Sequence, residues 1–244
     1  MLNPPSQMLA QTERLSAMIR LPNEHRDGCR YSEFIRDNVF GVVTNTFPLF
    51  SAQFSHLQLE QMIDGFVAKH AAFEAEFHHI ASEFVQFVQK DESASSGTML
   101  LQHLALLEYE WVTFCVEIDA VSDNLSDFYR KEVIESDSLQ VNPTLRLNQV
   151  PFLLHQDSVT FLTTDRHSVF YGVFRNQEQH VVSQRLRDID IALIQILIDQ
   201  LDLTSAQLQQ RVNHSNIRFN VLGWVQHFSE LGLIRSNFQE NNYD

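Results

Sequence analysis

Hydrophobic positions in the first half of the chain recur every three or four residues, the period of a helix with one buried face. Short segments rich in Pro, Gly, Ser or charge separate the periodic stretches. The pattern predicts five helices: over 6–21, over 31–47 and ending before Pro48, from Ser55 or His56, from about His79, and over 100–118, which has the strongest helical pattern. Residues 119–149 are acidic and poor in large apolar side chains, so we expect an irregular, solvated connection there.

After residue 149 the pattern changes to short β-branched and aromatic runs divided by polar turns, which is typical of strands. Four runs predict a small antiparallel sheet: "VPFLLHQ", "VTFLTT", "SVFYGVFR" and "QHVVSQRL". Three helices should follow, the first capped by Asp188, the second capped by Thr204, and the third running from about Asn216 to Gly232. We therefore predict an α+β fold, with an all-α helical N-terminal domain over 1–135 and a small winged-helix-like C-terminal domain over 136–244.

Two asparagines interrupt the apolar face predicted for helix 31–47. Asn38 and Asn45 fall seven and fourteen residues after Tyr31, on the same stripe as Val39 and Val42. A buried amide needs hydrogen-bond partners, and backbone groups are freed where a helix breaks. We therefore expect both amides to satisfy backbone groups near the break at Pro48.

The charge balance limits the classes of partner. The chain holds 31 Asp and Glu against 17 Lys and Arg, a formal net charge of −14, which repels a phosphate backbone. The N-terminus lacks the basic and apolar regions of a secretory signal, and the longest strongly apolar run, over 191–198, is too short to span a bilayer. Cys29 and Cys115 form no metal-binding spacing. These features indicate a soluble cytoplasmic protein with no membrane contact.

Signatures of catalysis are missing from the sequence. It contains no Gly-rich phosphate loop, nucleophile elbow or H-E-x-x-H pair, so we expect no enzyme and no cofactor. Two weaker patterns remain open. His70, His78 and His79 near several glutamates could bind a metal, or could begin a solvated helix. Glu110 and Glu117 share a helix face and could act as an acid–base pair, or could belong to a polar stripe opposite the apolar one.

A winged-helix arrangement suggests two kinds of binding. DNA binding would place the third helix in the major groove. The sequence from Asp188 onward, however, contains only three basic residues and seven acidic ones, which does not favour phosphate contacts. Peptide capture would instead add an extended peptide to a sheet edge, which needs no positive surface. The candidate pocket residues are apolar and lie on one strand and the third helix, and each could equally be core: Phe170, Tyr171, Phe174, Val221 and Val225.

Several motifs of the first half resemble one family of bacterial proteins. They are "RDNVFGVVTNTFP" at 36–48, "DGFVAKH" at 64–70, "IASEFVQFVQ" at 80–89 and "LALLEYEWV" at 104–112. In their order and spacing the chain resembles the HvfC/BufC-like family, whose members were formerly described as DNA-binding domain proteins. The second half resembles the family's second domain by its succession of strands and helices.

The resemblance implies a partner protein of a multinuclear non-haem iron oxidase. Such a protein presents a ribosomally made precursor peptide whose cysteines the oxidase modifies, often for metal homeostasis. The iron belongs to the oxidase, so no metal ligand is expected in this chain. Charged residues inside the matching motifs are the candidate oxidase interface: Arg36, Glu83 and Glu110. A DNA-binding transcriptional regulator is the alternative, and a hydrolase using Glu110 and Glu117 is a third hypothesis.

Overall fold

The structure is a computed structural model of the chain. It describes most of the sequence, in eight segments: residues 6–21, 30–69, 77–90, 101–119, 138–156, 158–163, 168–215 and 218–237. Within them the fold is α+β, as predicted, with a helical N-terminal region followed by antiparallel strands and three further helices.

Six helices are described in the N-terminal region: α1 (Ser6–Arg20), α2 (Arg30–Thr46), α3 (Pro48–Ser51), α4 (His56–Lys69), α5 (Phe77–Lys90) and α6 (Leu101–Ile118). The five predicted helices are confirmed, and the four-residue α3 is an addition. Ser55 caps α4 together with Gln58, because each side chain accepts a hydrogen bond from the other residue's backbone N–H, at 3.4 and 2.9 Å.

Phenylalanine rings form the centre of the N-terminal core. The fully buried Phe84 of α5 packs against the rings of Phe47, Phe50 and Phe66, with centroids 5.6–6.4 Å apart. Offset and edge-to-face pairs of this kind add to the free energy that burial of the rings provides. The break between α2 and α3 therefore lies inside the core, because Phe47 and Phe50 flank it.

The buried face of α2 differs from the predicted stripe. Tyr31 and Phe34 are 49 % and 58 % exposed, whereas polar Ser32 and Arg36 are buried. Asn45 is exposed and Asn38 only half-buried, so the expectation that both amides lie on a buried stripe was wrong. The actual stripe starts one residue later than Tyr31 and contains hydrogen-bonded polar groups, which a hydrophobic pattern does not reveal.

Seven strands are described: β1 (Ser138–Val141), β2 (Arg146–Val150), β3 (Phe152–Leu154), β4 (Val159–Phe161), β5 (Val169–Arg175), β6 (Val181–Leu186) and β7 (Ile234–Asn237). They form three sheets, β1–β7, β2–β5–β6 and β3–β4, rather than the single sheet predicted. The antiparallel β5–β6 hairpin is confirmed. β1 and β2 correct the prediction that 119–149 is irregular, since β1 lies within that segment and β2 begins in it.

Three helices pack together in the C-terminal part: α7 (Asp188–Asp199), α8 (Ser205–His214) and α9 (Val221–Glu230). Thr204 caps α8, as predicted. Asp188 is not the cap of α7; Asp190 accepts the Arg187 N–H at 2.7 Å instead. α9 begins later than predicted, and its N-cap is Asn220.

Strand β7 follows a turn that requires glycine. Gly232 has φ 82°, and the next N–H, of Leu233, donates to the Phe228 carbonyl at 2.9 Å, closing a Schellman motif. The order α7, α8, α9, β7 is that of a winged helix. The strand that pairs with β7, however, is β1 from earlier in the chain, and Ser138 of β1 also forms a single bridge to Thr204.

The described residues fall into two compact units. One contains the residues up to Trp111 and the segment Leu154–Val159; the other contains Val112–Leu153 and the residues from Thr160 onward. The predicted domain boundary, between residues 135 and 136, lies outside the described residues.

Candidate functional site

The aromatic run proposed as a peptide pocket lies on β5, the middle strand of the β2–β5–β6 sheet. Phe174 is fully buried and Tyr171 is 5 % exposed, while Phe170 is partly buried against the same core as Phe174. A middle strand pairs on both sides, so it cannot accept a further strand. Phe174 and Tyr171 therefore pack in the interior, and only Phe170 retains accessible surface.

Val221 and Val225 of α9 are core residues as well. Both are fully buried, in the cluster that also holds Trp224 and Phe228. Because they have no exposed surface, they cannot line a pocket in this structure. Their place in the sequence, at helical spacing on the apolar face of α9, is equally typical of core and of pocket, so the pattern could not separate the two.

The two outer strands of the sheet, β2 and β6, are where a peptide could pair. The Asn176 N–H donates to the His180 carbonyl at 2.9 Å, at the hairpin end of β5 and β6. Antiparallel pairs alternate along a ladder, so the N–H groups of Val181 and Arg185 point away from β5. Val181 is half-buried and the Arg185 side chain is exposed. β6 thus combines outward backbone groups with accessible side chains.

The face of β5 opposite Phe174 is joined to the end of α6. Arg175 Nε donates to the Val116 carbonyl at 2.9 Å, and Nη2 donates to the carbonyl of Glu117. These carbonyls lie in the last turn of α6, where the helix leaves its acceptors unsatisfied. Arg175 therefore satisfies the end of α6 and ties it to the sheet.

Arg36, a proposed oxidase contact, is buried in internal hydrogen bonds. Its Nε donates to Asp64 at 2.7 Å, and its other nitrogens donate to the carbonyls of Ile19 and Leu21 and to Ser32. It is only 8 % exposed. The side chain thus ties the end of α1 to α2 and α4, which corrects its placement on a partner surface.

Glu110 is also internal. It is 7 % exposed, and its two carboxylate oxygens accept the N–H groups of Leu49 and Phe50 at 2.8 Å each. Burial raises the pKa of Glu110 to about 7, although the two backbone hydrogen bonds lower it. It therefore belongs neither to a partner surface nor to a solvated stripe with the exposed Glu117. Among the three proposed contacts Glu83 is half-buried on α5.

The amides freed at the α2–α3 break thus bond to Glu110, not to the two asparagines. A carboxylate inside the strongest predicted helix, between Tyr109 and Trp111, was the available signal. The sequence leaves this carboxylate open between an acid–base pair and a polar stripe, because it does not show that α3 lies against it.

An acidic groove of about 280 Å³ lies between α2 and α4. Its walls carry four carboxylates, the guanidinium of Arg36 that pairs with one of them, and an aromatic pair: Glu33, Asp37, Glu60, Asp64, Phe40 and His56. The ring centroids of Phe40 and His56 lie 5.0 Å apart in an edge-to-face arrangement, and His56 Nε2 lies 3.3 Å from Glu60 Oε1. Sequence reasoning did not identify this groove, since its residues come from two helices that become neighbours only in the fold.

The exposed face of α9 lacks cationic groups suited to DNA. Its exposed residues are Gln226, His227 and Glu230. A helix in the major groove depends on nearby Lys and Arg for phosphate contacts.

No group of three or more His, Cys, Asp or Glu in the described segments could hold a metal ion. Of the histidines considered as ligands, His70 lies outside those segments. None of the helices in the described part of the chain has the length and apolar character to cross a bilayer.

Comparison with known proteins adds no assignment. No protein-family model matches the chain, and no curated protein sequence matches it.

Proposed function

We propose that the chain is a non-enzymatic partner protein that binds a ribosomally made precursor peptide and presents it to a multinuclear non-haem iron oxidase for cysteine modification. The resemblance to the HvfC/BufC-like family, over most of residues 26–118, motivates the biological setting. The observation that supports peptide binding is the outer strand β6, whose N–H groups at Val181 and Arg185 point away from β5.

Pairing with β6 fits the chemistry of the molecule better than a side-chain pocket does. An added strand takes its affinity from main-chain hydrogen bonds, which an overall charge of −14 does not oppose. The middle strand is covered on its Phe174 face by the core of α7, α8 and α9, and Arg175 on its other face holds the end of α6. The backbone N–H and C=O groups of this sheet that a peptide could pair with therefore belong to the outer strands, β2 and β6.

β6 is the better of the two outer strands. It has six residues and no proline next to its outward positions, whereas β2 has five and runs directly into Pro151, which has no N–H to donate. We therefore place the peptide antiparallel or parallel to Val181–Leu186, with its apolar side chains beside the half-buried Val181 and Val182.

Two variants at one position test the site. Arg185→Pro removes an outward N–H without removing a bond to β5, while Arg185→Ala removes only the side chain and its charge. The chain is produced together with any iron oxidase and any short cysteine-containing protein that its gene neighbourhood encodes, and co-purification and the peptide's intact mass are measured. We expect Arg185→Ala to retain peptide binding and Arg185→Pro to lose it by about tenfold or more, with unchanged circular dichroism.

The outcomes separate the site from the function. If both variants retain the peptide, β6 is not the binding strand, although the adaptor function stands. If neither an oxidase nor a cysteine-containing peptide co-purifies with the unmodified chain, or if no such genes lie beside it, the proposed function is wrong.

A further inference from the structure

Glu110 joins two parts of the N-terminal unit that are distant in sequence. It extends from α6, and its carboxylate accepts the N–H groups of Leu49 and Phe50 at 2.8 Å each. These are the second and third residues of α3, which forms the corner between α2 and α4. The first N–H groups of a helix have no partner within it, so the carboxylate takes the place of a cap.

We propose that the Glu110 carboxylate is a proton-operated clasp on the corner that joins α2 to α4. In the ionised form each oxygen accepts one N–H. In the neutral acid one oxygen carries the proton and is a poor acceptor, so one of the two N–H groups loses its bond. This device is independent of peptide binding at β6, and it uses a group for which the proposed function has no role.

Burial and hydrogen bonding oppose each other at this carboxyl. Removal from water favours the neutral acid, and the two N–H bonds favour the ion; burial is the larger effect and raises the pKa of Glu110 to about 7. Both forms are therefore populated near neutral pH, and the clasp changes state within the physiological range. The same corner connects the two helices that line the acidic groove.

No charged side chain near Glu110 accounts for its raised pKa. The corner, residues 47–55, carries no titratable side chain. On α6 the titratable groups nearest in sequence are Glu108, which is exposed, and Tyr109, which is buried; His103 is two turns away against Phe54. On α5, which contacts α6 through Ser82 and Trp111, the titratable residues whose side chains the structure describes are His79, Glu83 and Lys90. None of them is among the causes of the raised pKa, which are burial and the two backbone bonds.

The direction of the pH effect follows from the sign of the shift. The folded-state pKa of about 7 lies above the ordinary value of 4.5, so the native state holds this proton more tightly than the unfolded chain. Its contribution to stability is complete below about pH 4.5 and is lost as the pH rises through 7. Over the same upper range the second N–H bond forms, so the corner gains order locally while the whole unit loses stability.

Nuclear magnetic resonance of the full chain tests the clasp. Glutamate labelled with ¹³C at the carboxyl carbon reports the ionisation of Glu110, and the amide signals of Leu49 and Phe50 report its two bonds. Between pH 5 and 9 we expect all three to titrate together with a midpoint near 7. Ionisation should also slow the intrinsic-rate-corrected hydrogen exchange of the more weakly bonded amide by about fivefold.

Two glutamine variants show whether ionisation of Glu110 causes the titration of the two amide signals. Glu110→Gln should leave both amide signals flat with pH, while Glu108→Gln, an exposed change on the same helix, should leave the midpoint unchanged. His103 has a pKa lowered by burial, so its own titration lies at lower pH and should persist in Glu110→Gln. A carboxyl midpoint below about 5 in the unmodified chain would overturn the proposal even if Glu110→Gln does not fold. So would an amide titration that persists in that variant.

Discussion

At the scale of single residues, the buried side chain of Asn142 connects three segments of the unit that contains β5. Its Nδ2 donates to the carbonyls of Arg175 and Gly232 at 2.7 and 2.8 Å, and its Oδ1 accepts the backbone N–H and the hydroxyl of Thr144. The residue is 2 % exposed. The amide of Asn142 thus makes four hydrogen bonds, two through Nδ2 and two through Oδ1. Together they connect the segment before β2, the end of β5 and the turn before β7.

We predict that Asn142→Asp lowers the free energy of unfolding by about 3 kcal/mol at pH 7, because a carboxylate would then face two carbonyls. The measurement is urea unfolding followed by Trp224 fluorescence in a Trp111→Phe background, since the chain has two tryptophans. Asn148→Asp, at a half-buried position of the outer strand β2, is the control and should cost less than about 1 kcal/mol. Equal losses in the two variants would contradict this role.

Buried polar residues are also where sequence reasoning failed. Arg36 and Glu110 are predicted at the oxidase interface because they are charged residues inside the motifs that resemble the family, but the structure buries both. Each is buried since its partners come from elsewhere in the chain: Asp64 and two carbonyls at the end of α1 for Arg36, and two amides of α3 for Glu110. A hydrophobic pattern contains no information about such partners.

At the scale of elements, helices were predictable and several strands were not. The helical period extends over 14 to 18 residues in α2, α4, α5 and α6, so it survives a few polar exceptions. β1 and β7 have four residues each and pair across almost a hundred positions of sequence. β1 (Ser-Leu-Gln-Val) alternates over only four residues and β7 (Ile-Arg-Ser-Asn) does not alternate, so their existence depends on a partner that only the fold supplies.

The end of α6 depends on one side chain from another element. We predict that Arg175→Ala speeds hydrogen exchange of the amides of residues 116–119, the last turn of α6 and the residue after it, by about tenfold. The reason is that it removes the donors to the Val116 and Glu117 carbonyls. Mass spectrometry of exchanged peptides measures this. Arg185→Ala removes an exposed arginine from the same face of the sheet and should leave those amides unchanged. Equal acceleration by both variants would show that α6 ends independently of Arg175.

At the scale of the whole molecule, fold and charge point to different partners. The three C-terminal helices follow the order of a winged helix, a shape that many DNA-binding proteins share, but shape alone does not establish function. The chain has a net charge of −14, and the exposed residues of α9 are Gln226, His227 and Glu230. Affinity for a duplex comes largely from phosphate contacts by Lys and Arg. The exposed face of α9, the helix that would enter the groove, has neither residue.

We therefore predict that the chain binds random duplex DNA more weakly than roughly 10⁻⁴ M at about 0.15 M salt, the weak end of ordinary non-specific binding. Fluorescence anisotropy of a labelled duplex measures this, and a titration to about 0.02 M salt serves as the control because counterion release strengthens any phosphate contact at low salt. A charge-reversal variant of the proposed recognition face, Glu230→Lys, should strengthen binding at low salt if α9 approaches the duplex at all. Micromolar binding at the higher salt, with a steep salt slope, would instead favour the DNA-binding alternative and show that arginines from separate elements form a positive surface despite the overall charge.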